Sequence, residues 1–210
     1  MSSQQAQALV GRTLAGRYRV ERVLGMGGMG IVAEVTHLQL GCRFALKTLR
    51  DGGDLDAEAM ERFRREARTT ARLGHPHIVE VTDFDTTEEG EPFVVMELLV
   101  GETLGWRLAS GPILDVAAAV AIGVQVAMAL GAAHASGVVH RDLKPDNVFL
   151  CAKGPWPDFV KVLDFGMSKI RDAASLRTRS AVVLGTPRYM SPEQAMARSA
   201  DCDQRADVFS

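Results

Sequence analysis

The chain has 210 residues, 47% of them hydrophobic, with 24 Lys+Arg against 26 Asp+Glu and a formal net charge of -2. That apolar share excludes a disordered chain and suffices for one large core or two small lobes, while near-neutrality excludes the basic field that nucleic acid or an anionic membrane attracts. Cys42, Cys151 and Cys202 lie far apart without paired Cys or His spacing, which argues against a disulfide framework or structural zinc and for reduced thiols in a cytoplasmic protein.

Met1 to Arg12 has no positive region followed by an apolar stretch, so it is not a secretion signal, and residues 1–16 are expected to form a flexible tail. β-Branched and polar residues then alternate from Tyr18 through Val23, from Ile31 to Leu38 and from Arg43 to Leu49, separated by Gly-bearing turns. This predicts an antiparallel three-strand meander. After Asp51-Gly52-Gly53, either Asp54 or Asp56 can cap a helix along which Met60, Phe63, Ala67 and Ala71 recur on one packed face. Two further strands fit Ile78 to Phe84 and Pro92 to Leu98, around the acidic turn at Thr86 to Gly90. The first part of the chain thus reads as a five-stranded sheet with one helix.

Beyond Gly101 the pattern becomes helical, with a short helix near Leu104 to Ala109 and a long Ala-rich one from about Ile113 to Ser136. The run Val116 to Ala133 is apolar apart from Gln125 and almost long enough to cross a bilayer. Its Ala and Gly insert weakly, and His134 and Ser136 follow at once, so a helix buried on most sides of a soluble core is expected. Gly154-Pro155-Trp156-Pro157 is expected to be a turn between short strands at Val148 to Cys151 and Val160 to Leu163.

Three segments carry chemistry. Gly25-Met26-Gly27-Gly28-Met29-Gly30 lies between the first two strands, where glycines let backbone N–H groups approach a polyphosphate; alone, such a loop is more often a mobile turn. It opens no helix, which excludes a dinucleotide-binding βαβ unit. The strand Phe44-Ala45-Leu46-Lys47 presents one cation, which Glu66 in the following helix can pair with, Glu58 and Glu61 being alternatives nearer the helix start. His140-Arg141-Asp142-Leu143-Lys144-Pro145-Asp146-Asn147 is followed, after a hairpin, by Asp164-Phe165-Gly166.

These motifs, in this order, make the chain resemble the eukaryotic-type (Hanks-type) serine/threonine protein kinase family from Tyr18 to Ser210. The Gly-Gly-Met-Gly form of the loop and the Gly185-Thr186-Pro187-Arg188-Tyr189-Met190-Ser191-Pro192-Glu193 segment are similar to its bacterial branch. The resemblance implies an α+β, bilobal fold: an N-lobe over residues 17–100 with a five-stranded antiparallel sheet and one helix, and a mainly helical, partial C-lobe over 101–210. It implies that Asp207-Val208-Phe209-Ser210 opens the central helix of that lobe, so that the Arg that would pair with Glu193 lies beyond this chain and an apolar face of the Ala-rich helix is exposed. Ser191 stands where the family usually has Ala.

The implied activity is transfer of the γ-phosphoryl of ATP to protein Ser/Thr hydroxyls, with Mg2+, or Mn2+ as a substitute. Asp142 would accept the hydroxyl proton, Lys144 would offset charge on the phosphoryl, and Thr186 would hydrogen-bond both; Asn147 and Asp164 would ligate the metal, and the Lys47–Glu66 pair would fix the α and β phosphates. Leu24, Val32, Ala45 and Phe149 would line the adenine slot beside the glycine loop (Gly25, Gly27, Gly28, Gly30), with Met96 as gatekeeper and Glu97 to Leu99 as hinge. Ser175, Thr178 and Ser180 lie among Arg171, Arg177 and Arg179, which is similar to an activation loop whose phosphate pairs with Arg141. The implied partners are protein substrates and a second copy for autophosphorylation in trans, with neither nucleic acid nor membrane. A truncated, non-catalytic kinase fold that binds nucleotide or protein is the competing reading; a small-molecule phosphotransferase has no reason to carry the Thr178 to Glu193 segment.

Overall fold

The computed structural model describes residues 7–27, 30–48, 61, 64–65, 68–153, 156–165, 187–196 and 202–210. They form two compact units, Met1–Ala67 with Glu80–Leu99 and Arg68–Val79 with Val100–Ser210. The architecture is α+β.

In the first unit, β1 (Thr13–Leu14), β2 (Tyr18–Gly27), β3 (Gly30–His37), β4 (Arg43–Thr48), β5 (Val81–Thr86) and β6 (Pro92–Glu97) form one antiparallel sheet in the order β1-β2-β3-β4-β6-β5. Period-two alternation puts Tyr18, Val20, Ala33, Val35, Leu46, Phe93 and Val95 into a common core. The sheet has six strands, where periodicity predicts five. The added strand corrects the expected tail: Leu14 is 1% exposed and pairs with Tyr18, while Thr13 pairs with Arg19. Polar anchors hold the same segment, Arg12 to Glu89 at 2.5 Å and Arg17 to Asp83 and Asp85 at 3.1 and 2.6 Å. A two-residue strand has no period to read, so only these distant partners reveal it.

In the second unit, β7 (Gly101–Thr103), β8 (Val148–Lys153) and β9 (Trp156–Val162) make a three-stranded sheet. Gly101 has φ 148° and an added Cβ would stand 2.0 Å from the Leu150 carbonyl oxygen, so only glycine fits there. Trp156 and Pro157 belong to β9, where a turn is expected, because Trp156 pairs with Lys153. After Gly101 the described residues also form the helices α1 (Leu104–Ser110), α2 (Val116–Ala135), α3 (Pro192–Ala195) and α4 (Arg205–Phe209). Side-chain caps fix the starts of the first two: Thr103 accepts from the Trp106 N–H and Asp115 from the Ala118 N–H, so α2 begins after Asp115 rather than near Ile113.

Residues 68–79 join this second unit, against the expected boundary at 100/101. Val79 N–H donates to the Val162 carbonyl at 3.0 Å, Val162 N–H to His77 at 2.8 Å, and Lys161 Nζ to Ile78 at 3.1 Å. Ile78 therefore makes a parallel bridge to Val162 instead of opening β5. Residues 68–71 are helical; Thr70 is buried and donates to the Phe165 carbonyl at 3.2 Å, whereas Ala71, expected on the packed face, is exposed. Met60, Phe63 and Ala67 lie outside the described residues.

Helix α2 contributes Ile122, Ala129, Leu130 and Ala133 to the core with Leu150, Val160, Val162 and Phe165. Its opposite stripe, Val116, Val120, Val124 and Met128, is at least half exposed, which corrects the expectation of burial on most sides and matches the implied exposed face. It is long and apolar enough by composition to cross a membrane, which in a helix that feeds a core is weak evidence of a span. Mid-helix, Gln125 is a stitch to the sheet: its Nε2 donates to the Asp158 carbonyl at 3.0 Å and its Oε1 accepts from the Val160 N–H at 3.0 Å.

Gln125→Leu, which leaves both backbone groups without their partner, is expected to lower the unfolding free energy by about 1–3 kcal/mol in urea titration. Asp115→Ala should cost about 1 kcal/mol through loss of the cap. A Leu variant as stable as wild type would show that Gln125 carries no such stitch.

Candidate active site

The first unit holds one part of the predicted set. The β2–β3 hairpin closes with Gly27 opposite Gly30, and Gly28 lies outside the described residues. Gly30 has φ 130° and an added Cβ would meet the Thr48 carbonyl oxygen at 1.9 Å, so the fold itself demands glycine there. Nothing comparable holds at Gly25 and Gly27, where a Cβ would meet nothing within 4 Å. Glycine at those two positions fits an approach kept open for a ligand. Thr48 Oγ1 accepts from the Ile31 N–H at 3.1 Å and braces the end of the hairpin.

Cross-strand register sets Gly25 opposite Val32 and Val32 opposite Lys47, so the glycine loop and the cation lie side by side on three strands. Lys47 is 7% exposed. Ala45, two residues away, pairs with Met96, and Phe44 pairs with Glu97. Leu24 is exposed, and Leu99 is half-buried at the end of the unit. Glu97 Oε1 accepts from the Glu80 N–H at 2.8 Å. Glu66, Glu58, Thr186, Ser175, Thr178 and Ser180 lie outside the described residues.

The second unit holds Arg141, Asp142, Lys144, Asn147, Phe149 and Asp164. Four of these converge on one loop. Lys144 Nζ donates to Asp142 Oδ2 at 3.1 Å, and Asn147 Nδ2 donates to the Asp142 carbonyl at 2.7 Å. Asn147 also ties the loop to the end of β9, since its carbonyl accepts from the Leu163 N–H at 2.9 Å. Arg141 and Asp164 adopt φ 65° and 60°, left-handed conformations that cost a non-glycine residue on the order of 1–3 kcal/mol each and persist only where surroundings hold them. Phe149, on β8, is half-buried.

His140 supplies much of that hold. It is fully buried, its Nε2 donates to the Leu163 carbonyl at 2.8 Å and its Nδ1 accepts from the Asp142 N–H at 3.2 Å. Both contacts require the neutral Nε2–H tautomer. Burial keeps the imidazole below the usual histidine range, opposed by Asp207 and the Leu163 carbonyl. Asp207 is 2% exposed and accepts from three donors: the His140 N–H and the Arg141 N–H, each at 2.8 Å, and His134 Nε2 at 2.7 Å. The Arg141 side chain reaches the Cys202 carbonyl at 3.2 Å, and its Nε is buried without a hydrogen-bond partner among the described residues.

The donor set suits a hard divalent cation. The Asn147 amide spends its NH2 group on Asp142, which leaves Oδ1, a neutral oxygen, with no hydrogen bond among the described residues; Asp164 adds a carboxylate. No group of three or more His, Cys, Asp or Glu converges among the described residues.

The buried His140 before the Asp142 loop, the strained Asp164 beyond a hairpin and the Gly loop beside Lys47 on one sheet stand in the motif order of the sequence, and a family model for the protein kinase domain matches residues 18–210. The chain belongs to the protein kinase family. It is 42% identical over 212 residues to the serine/threonine-protein kinase pkn3 of Myxococcus xanthus, covering 100% of this chain and 38% of that one. It is 43% identical over 205 residues to the serine/threonine-protein kinase PknA of Mycobacterium tuberculosis, covering 96% of this chain and 46% of that one. The kinase domain therefore spans less than half of each of these relatives. The crystal structure of the Mycobacterium tuberculosis PknI kinase domain matches with a TM-score of 0.72 at 35% identity, over 94% of this chain and 71% of that one.

Motif reading gives Asp207 no part in holding the Asp142 loop and takes His140 only as a letter in the motif. The one signal in the sequence for Asp207 is an acid inside the apolar run Ala206 to Phe209.

Because the folded state disfavours protonated His140, and His75 is likewise lowered mainly by its burial, protonation favours unfolding. Stability should fall as pH drops below ~6.5, the unfolded value, by up to about 1.4 kcal/mol per pH unit for the fully buried His140, with His75 acting in the same direction. His140→Phe is expected to be less stable at neutral pH but to lose less on acidification; urea titrations at a series of pH values read both, and an unchanged slope would reject a neutral His140.

Proposed function

We propose that the domain transfers the γ-phosphoryl group of Mg-ATP to serine or threonine hydroxyls of proteins. The observation that carries this is the Asp142 carboxylate, held between the Lys144 ammonium and the Asn147 amide and followed by hard oxygen donors at Asn147 and Asp164. Asp142 orients the incoming hydroxyl and takes its proton as the oxygen–phosphorus bond forms. Lys144, 3.1 Å from Asp142 Oδ2, offsets negative charge on the transferring group. Magnesium held by Asn147 and Asp164 would neutralise charge on the phosphates. In the other unit, Gly25 and Gly27 leave room for backbone N–H groups to meet the phosphates, and Lys47 would engage the α and β phosphates, with Glu66 as its expected partner. On this same unit Leu24, Val32, Ala45 and Met96 would receive the adenine, with Glu97 to Leu99 as its hydrogen-bonding edge. Lys144 and the names of the relatives support a serine/threonine rather than tyrosine acceptor.

The setting we infer is cytoplasmic signalling in a bacterium, with autophosphorylation at Thr178 or Ser180, and Ser175 as a lesser site. The buried Arg141 Nε without a partner among the described residues supports a phosphate docking beside it. Thr186 would bond Asp142 and Lys144.

Phosphate transfer to a basic protein substrate, measured beside a Mg-ATP thermal shift, tests this reading. Asp142→Asn should lower transfer by at least about 10²-fold while the nucleotide shift persists, and Lys47→Met should weaken both. Transfer by Asp142→Asn at the wild-type rate would overturn the assignment; nucleotide binding with no transfer by the wild type would favour a binding module. Mass spectrometry after incubation with Mg-ATP should find phosphate on Thr178 or Ser180, and a transferring preparation modified at neither would reject the loop proposal.

A further inference from the structure

Asp142 is joined to the strained Arg141 by one peptide, and side chains grip both faces of that unit. Its N–H, on Asp142, donates to His140 Nδ1 at 3.2 Å, and its carbonyl, on Arg141, accepts from Gln194 Nε2 at 2.5 Å. Gln194 is distant in sequence, in α3, and the other end of its amide binds elsewhere. Its Oε1 accepts from the Ser191 N–H at 3.1 Å and so caps that helix. One carboxamide thus spans the helix cap and the backbone that bears the catalytic base.

The two roles have different chemical needs. A cap requires only an acceptor, and a glutamate at this third helical position serves it as well, with the added favour of a negative charge near a helix start. The Arg141 carbonyl requires a donor, which glutamine has and glutamate at neutral pH lacks. At φ 65° the Arg141 peptide has no regular ladder to set its plane, so these side-chain bonds set it.

We propose that Gln194 is a positioning residue for phosphoryl transfer: its amide donor fixes the plane of the Arg141–Asp142 peptide, and with it the direction of the Asp142 carboxylate. The effect on rate rests on the kinase reading above; the effect on the loop does not.

Gln194→Glu separates the two roles by keeping the acceptor and removing the donor, and Gln194→Met, of similar length, removes both. In the full chain, Gln194→Glu should melt at or above the wild-type temperature, Gln194→Met below it. Both should speed hydrogen exchange of the Asp142 and Leu143 amides about tenfold or more, and both should lower kcat about tenfold with KM for ATP unchanged within about twofold. Wild-type exchange and kcat in Gln194→Glu would reduce Gln194 to a helix cap. A Gln194→Glu variant too unstable to measure passes the decision to Gln194→Met, where unaltered loop exchange overturns the proposal. If the wild-type chain transfers no phosphate, the kinase reading fails on its own, and the exchange comparison still decides the role of Gln194.

Discussion

A carboxylate removed from water must recover the hydration it loses, and Asp207 does so with three donors from two other parts of the chain. Burying that charge without them would be strongly unfavourable, so the donors cannot leave singly without exposing the rest to the same cost. His134 comes from the end of α2, and the His140 and Arg141 N–H groups from the loop that follows. One buried charge on α4 therefore decides the path of the backbone immediately before Asp142, and it stabilises Arg141 in a conformation that Arg seldom adopts.

From that anchor the rest of the loop is held by groups used at both ends. The His140 ring takes an N–H from Asp142 and gives one to Leu163; the Asn147 side chain donates to Asp142 while its backbone receives Leu163. Leu163 precedes Asp164, so Asp142 and Asp164 share supports. Such sharing adds stiffness to the packing of Leu143 on the core, which matters where misplacing a carboxylate by an ångström costs rate.

The Ala-rich helix shows the opposite balance. α2 commits four side chains to the core and one amide to the edge of β9, and leaves a stripe of Val and Met in solvent. The Gln125 stitch and the His134 contact add polar ties to that apolar burial.

Local order was legible in the residues themselves: alternation wrote β2, β3, β4 and β6 to within a few positions, and the spacing from Gly25 to Lys47 and from His140 to Asp164 pointed to phosphoryl transfer. The strands depend on neighbours along the chain, and phosphoryl transfer is what the resemblance of those ordered motifs to protein kinases implies. Burial of Leu14, attachment of residues 68–79 to β9, and the grips of Asp207 and Gln194 on the loop depend on partners tens of residues away. An isolated Asp or Gln looks the same in a sequence whether it meets water or a backbone N–H. Tertiary structure alone made that choice, because a hydrogen bond is selected by distance and desolvation rather than by position in the chain.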